Sequence, residues 1–100
     1  MASSFFTKVV GVSFGNSQNI ISRLHHNMQL KLVREPDNSY DSNAIAVFFA
    51  NHHLGYLPRF RAQEIAPLID SGEYYIAYVA NVTGGTDGKY FGLNIKVYST

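Results

Sequence analysis

The sequence predicts a mainly β fold with two helices, a small twisted sheet of about six strands closing on itself as an OB-like barrel. Two observations carry this. Short runs rich in β-branched and aromatic residues recur along the chain, separated by clusters of Gly, Pro, Asn, Asp and Ser. Only two stretches keep the 3.6-residue spacing of an apolar helical face, and one of them lies between strands. Periodicity alone leaves an α+β roll open as well.

In chain order, Phe5 to Val12 reads as the first strand, with Gly11 permitting a bend or bulge near its end. Asn16 or Ser17 can cap a short helix through Leu24, since Ile20, Ile21 and Leu24 share one face. Met28, Leu30 and Leu32 then alternate with Gln29, Lys31 and Val33 as a half-buried strand. Pro36 stops that strand, Pro36–Ser39 supply turn formers, and Ala44 to Phe49 reads as a second, more apolar strand. Asn51, His52 and His53 are expected to form a hairpin turn into a short strand, Leu54 to Leu57. Pro58 suits the first turn of a helix whose stripe is Ala62, Ile65, Ala66 and Ile69. Pro67 inside it predicts a kink or restart near Ala66, and Ser71-Gly72 ends it. Glu73 to Val82 and Tyr90 to Tyr98 read as two final strands joined by a Gly-rich loop. In the last of them Phe91, Leu93, Ile95 and Val97 share one face.

One hundred residues with 46% hydrophobic content are enough for one modest core, so residues 1–100 are read as a single domain. No apolar run approaches membrane-spanning length, and Met1 to Lys8 lacks the pattern of a secretory signal, which points to a cytoplasmic protein. The absence of cysteine removes disulfides, thiolate chemistry and the usual structural zinc sites. The four histidines form two adjacent pairs, His25-His26 and His52-His53, and neighbours on an extended chain face opposite ways. They read as exposed turn residues, and no metal or other cofactor is expected. No G-x-S-x-G elbow is present, and Gly84-Gly85-x-x-Gly88 lacks the G-K-[ST] ending of a phosphate loop, so catalysis is not expected either. A net charge of +1 argues against broad electrostatic capture of nucleic acid; such binding would have to be local.

Seven Tyr and seven Phe, with no Trp, are the informative excess. Most are expected to fill the barrel interior. Phe14, Tyr40 and Tyr56 are different, because each sits at a junction between elements. If the sheet closes, these junctions converge on one rim and offer flat surfaces for stacked bases. Arg34, Arg59 and Arg61 flank the same junctions. Arg34 reads equally as a phosphate contact or as a partner of Glu35 or Asp37, and Arg61 as a partner of Glu64 or a solvated charge. Asp41 reads in two ways. It caps its own Asx-type turn, or it accepts a hydrogen bond from a free hydroxyl while a base stacks on Tyr40.

The run R-E-P-D-N-S-Y-D-S-N-A-I-A-V, Arg34 to Val47, resembles the signature of the HIRAN domain family, and Val9–Phe14 and Leu54–Arg59 match in the right order. The resemblance implies a modified OB-type barrel with two helices. It also implies recognition of single-stranded DNA 3′ ends, as at a stalled replication fork, with the Tyr-Asp pair, here Tyr40 and Asp41, in the pocket. Phe14 stands where the family carries an aromatic after the first strand, and Arg59 lies near a basic position. Ser13 and Tyr56 depart from the basic residue and the histidine found at those places in fork-remodelling members. The hundred residues hold no motor, so the expected role is a DNA repair or replication-fork module that binds single-stranded DNA through Phe14, Tyr40, Asp41, Tyr56, Arg59 and Arg34, alongside a DNA-processing protein partner. The alternatives are a protein-interaction module using the same groove or a sheet edge, and a nuclease accessory or hydrolase.

Overall fold

Alternation fixes which side of most strands turns inward, whereas Ile45, Ala46 and Val47 are buried in succession. Val9, Leu30, Ile45, Val47, Leu54, Ala77, Val79, Leu93, Ile95 and Val97 are all buried, and Ile45, Leu54, Ile95 and Val97 have no solvent exposure. Burial of each such aliphatic side chain stabilises the fold by about 1.5–3 kcal/mol. The computed structural model describes residues 3–100. Its strands are β1 (Ser4–Lys8), β2 (Gln29–Arg34), β3 (Ile45–Phe49), β4 (His52–Tyr56), β5 (Tyr75–Gly84) and β6 (Phe91–Ser99), and its helices are α1 (Ser17–Ile21) and α2 (Arg59–Asp70).

All strand pairs are antiparallel, in the order β1-β6-β5-β2-β3-β4. β2 turns the corner between two halves. Its first residues, Gln29 and Leu30, pair with β5, and Lys31–Arg34 pair with β3. Register shifts between Val79 and Asn81 in β5, and between Val47 and Phe48 in β3, add the local twist that a curled sheet requires. The chain then joins the two edges. After β1 leaves β6, the Val9 amide donates to the Leu93 carbonyl, and Val10 exchanges both backbone hydrogen bonds with Tyr56, at 2.8 and 2.9 Å. The result is the mainly β, OB-like half-barrel expected from the sequence, with its rim at the β1–α1, β2–β3 and β4–α2 junctions.

Four local expectations are corrected. The first strand stops at Lys8, with Val10 surviving as the isolated bridge to Tyr56, because the chain must cross from one sheet edge to the other there. His52 and His53 belong to β4; the reversal is made by Ala50 and Asn51, with Ala50 at φ 51°, and Phe49 pairs directly with His52. α2 continues through Pro67 without a restart, since Pro67 still accepts from Ser71 in the last turn. The aromatic residues do not fill the interior. The buried hydrophobic residues are Val, Ile, Leu and Ala, while Phe6, Phe14, Tyr40, Phe60, Tyr74 and Tyr90 are exposed. The fully buried side chains are aliphatic, Phe5, Phe49, Tyr75 and Phe91 pack partly buried against them, and the remaining rings lie toward the rim and outer face.

Gly55 is required where the edges join. A Cβ there would run into the Val10 carbonyl and lie 2.8 Å from Val9 Cγ1. Gly55→Ala is therefore expected to lower stability by about 1–3 kcal/mol in equilibrium unfolding, through forced separation of the Val10–Tyr56 bridge.

Candidate nucleic-acid interface

The β2–β3 loop is ordered by one side chain. Asn38 Oδ1 accepts from the amides of Tyr40 (2.9 Å) and Asp41 (3.1 Å), and its Nδ2 donates to Glu35 Oε1 at 3.0 Å. Glu35 Oε1 also accepts from the Tyr56 hydroxyl at 2.9 Å, so the loop is tied to β4. Burial, reinforced by the Glu35 hydrogen bond and charge, raises the Tyr56 phenol above its ordinary pKa. Tyr56 therefore stays a neutral donor throughout the physiological range.

Within this frame Asp41 caps its own turn, the first of the two roles read from the sequence, and also meets Arg59. Its Oδ1 accepts from the Asn43 amide at 2.9 Å, the Asx-type turn, while Oδ2 lies 3.5 Å from Arg59 Nε. Arg59, at the start of α2, also donates through Nη2 to the Tyr40 carbonyl at 2.9 Å. One guanidinium thus bridges backbone and carboxylate and holds the Tyr-Asp pair against the helix. The Arg59 side chain keeps 70% exposure and Asp41 21%, so both still face solvent. The Tyr40 ring has no such anchor. It is 88% exposed, the most exposed of the large hydrophobic residues.

Tyr40, Asp41, Tyr56 and Arg59 line a single cleft of about 470 Å³ whose other walls include Val10, Ala44 and Leu57. Phe14, 75% exposed, lies in an adjoining depression of about 520 Å³ with Ile20, His53 and Gly55, and Tyr56 belongs to both. The three aromatic junctions therefore meet at Tyr56, but in two clefts. His53 is stacked on Phe48 at 5.0 Å and meets Tyr56 edge-on at 4.9 Å, which braces the shared wall from behind.

Arg34 is not in the cleft. Its guanidinium forms a two-pronged pair with Asp70, both contacts at 2.9 Å, and donates to the Ala44 carbonyl. The partner is Asp70 at the far end of α2, and neither Glu35 nor Asp37. The hydrogen bond to Arg34 pulls the Asp70 carboxyl below its ordinary value, and the same bond, with a smaller contribution from the Asp41 charge, raises Arg34. Arg61 pairs with Glu64 at 3.2 Å, as the helical spacing suggested. The residues not singled out from sequence are Glu35, Asn38 and Asp70. Asn38 was legible as a turn former, but its reach to Glu35 and thence to Tyr56 depends on strand pairing that no local pattern encodes.

A half-barrel carrying an exposed ring, a carboxylate and a guanidinium on its loop rim defines an OB-like binding module. The model of the HIRAN domain matches residues 2–100, and the chain belongs to this family of nucleic-acid-binding modules. A protein from Lactobacillus plantarum has a similar crystal structure, with a TM-score of 0.77 at 27% identity over 100% of this chain and 98% of that one. The crystal structure of the HIRAN domain of human HLTF superposes with a TM-score of 0.69 at 24% identity, over 98% of this chain and 77% of that one. In sequence, the chain is 39% identical over 72 residues to a Fanconi-associated nuclease 1 homolog of Oryza sativa subsp. japonica, covering 62% of this chain but 7% of the length of that protein. Among the described residues, no helix is long and apolar enough to cross a membrane.

Asn38→Ala is expected to cost about 1–3 kcal/mol, since two loop amides lose their acceptor, and to speed hydrogen exchange at Tyr40 and Asp41 in NMR. The Arg34–Asp70 pair gives a pH signature. Because the folded Asp70 pKa is depressed, its contribution is present above the unfolded value of about 3.9 and is lost as pH falls through the folded one. Thermal unfolding should show Asp70→Asn less stable than the parent at neutral pH, with the difference shrinking as pH falls below about 4.

Proposed function

We propose that this HIRAN domain is a non-enzymatic reader of single-stranded DNA 3′ ends, acting in a DNA repair or replication-fork setting. The observation that carries the reading is the pairing of an unpacked Tyr40 ring with an Asp41 carboxylate in one cleft. A terminal base stacks on Tyr40, an interaction worth about 1–3 kcal/mol. Asp41 Oδ1 already takes the Asn43 amide, and Oδ2 sits in a loose contact with Arg59, so a lone pair on Oδ2 is open to the terminal 3′ hydroxyl. Arg59 offsets the Asp41 charge and reaches the first internal phosphate. Tyr56 and Phe14 extend the apolar surface toward the preceding base. Arg34 acts from behind, holding the end of β2 to α2.

A 3′ phosphate would bring negative charge against Asp41. At about 4 Å two unit charges in a partly screened site repel by about 4 kcal/mol, enough to reject that end even after screening removes most of it. The homolog supports the setting, since its name places a related segment in a Fanconi-associated nuclease. The near-neutral net charge favours a second reading, a peptide-binding module using the same cleft.

Fluorescence anisotropy with a short labelled strand separates the two. Binding should weaken at least tenfold from a 3′ hydroxyl to a 3′ phosphate or a circle, Tyr40→Ala should weaken it at least fivefold, and Asp41→Ala should abolish the preference between ends. Binding that ignores the end and both variants would overturn end recognition in favour of a protein partner.

A further inference from the structure

The cleft does not account for the outer face of the sheet. There Phe6 of β1, Lys96 of β6 and Tyr78 of β5 stand in one cross-strand row, since Phe6 and Tyr78 both pair with Lys96, and Tyr98 lies two residues further along β6. The Lys96 ammonium sits 5.1 Å from the Phe6 ring and 5.0 Å from the Tyr98 ring, and Tyr78 meets Tyr98 edge-on at 5.9 Å. Phe6 is 62% exposed. These groups bound a shallow depression of about 220 Å³ in which none of the chain's seven carboxylates takes part. Its lining sets the single charge of Lys96 among the rings of Phe6, Tyr78 and Tyr98, with His26 and Asn27 beside them.

A chain of contacts links it to the cleft. Phe60 follows Arg59 and is 58% exposed; the Arg61 guanidinium lies 5.0 Å from the Phe60 ring and 4.4 Å from Phe5, and donates to the Phe6 carbonyl on the outer edge of β1. Rings and guanidinium groups thus run from the cleft, around the sheet edge, to Lys96.

We infer that the outer face of β1, β6 and β5 is a second contact for single-stranded nucleic acid, taking bases upstream of the bound end on Phe6, Tyr78 and Tyr98 with Lys96 on the backbone. The continuity with the cleft rests on the end-binding reading, whereas the face itself does not. Three strands span about 10 Å, the platform on which sheet-binding domains stack two or three bases. On binding, Lys96 exchanges its ring contacts for phosphate and frees the ring faces for bases. The charge and the rings fit a polyanion with π-faces, and no carboxylate lines the depression itself.

The test compares labelled oligothymidylates of about three and about twelve nucleotides with free 3′ hydroxyls, and a circle, bound to the full chain and to its Lys96→Glu and Phe6→Ser variants. The longer strand is expected to bind about tenfold tighter than the shorter. Either substitution, both at solvent-facing positions, should erase that gain and leave the short strand's affinity unchanged. A parent protein indifferent to length, or variants that keep the gain, would overturn the inference while leaving end recognition standing if the short strand still discriminates its end. Binding of the circle that is lost in Lys96→Glu, with no end preference in any strand, would sustain this face and sink the end reader. Absence of binding to every strand would remove both.

Discussion

The fold and the cleft depend on one join, the pair of backbone hydrogen bonds between Val10 and Tyr56. A six-stranded antiparallel sheet has two edges, and exposed edges invite pairing with other chains. Here the segment after β1 covers the β4 edge, and the close approach is possible because Gly55 presents no side chain to it. The same residue that receives the bridge, Tyr56, forms the wall between the two rim depressions. Backbone closure and cleft geometry are therefore one event: the main-chain bridge places Tyr56, and His53 and Glu35 hold its ring there.

That placement explains how a domain of this size offers a rigid site on loops. The aliphatic interior supplies stability, and the loops are pinned by a few polar side chains. Asn38 replaces a missing ladder by accepting two successive amides, Glu35 joins it to Tyr56, and Arg59 ties the Tyr-Asp pair to α2. At the far end of α2 the Arg34–Asp70 pair fixes the helix to the end of β2. The loop backbone is fixed in this way, while the Tyr40 ring itself stays unanchored and exposed.

Much of this was legible in the sequence because it is locally encoded. The alternation in Leu93, Ile95 and Val97, the helical stripe of Ala62, Ile65 and Ala66, and the turn at Pro36–Ser39 all signal through period or composition, and the Tyr40-Asp41 pair stood out as an aromatic and an acid in a polar loop. The misses are non-local. Arg34 was assigned to neighbouring carboxylates or to phosphate, whereas its partner lies 36 residues away. The aromatic residues were expected inside, because ring-rich strands usually bury their rings; only the curvature of the closed sheet decides that the interior admits Val, Ile and Leu while Phe6, Tyr78 and Tyr98 turn outward. Pro67, whose missing donor and ring oppose the preceding turn, predicts a kink or restart near Ala66, yet α2 runs without a restart to Asp70.

The Asn38-ordered loop and the start of α2 line one cleft, which is the proposed binding site. The most direct measurement is a two-dimensional NMR titration of the 15N-labelled chain with a trinucleotide bearing a free 3′ hydroxyl, following the amides of Tyr40, Asp41 and Asn43 and the Arg59 Nε–H. Binding in the cleft should move these four resonances together with a single saturation curve, the Arg59 Nε–H shifting as its contact with Asp41 is rearranged. Shifts confined to the opposite side of the barrel, or none at these four positions at saturating strand, would contradict it.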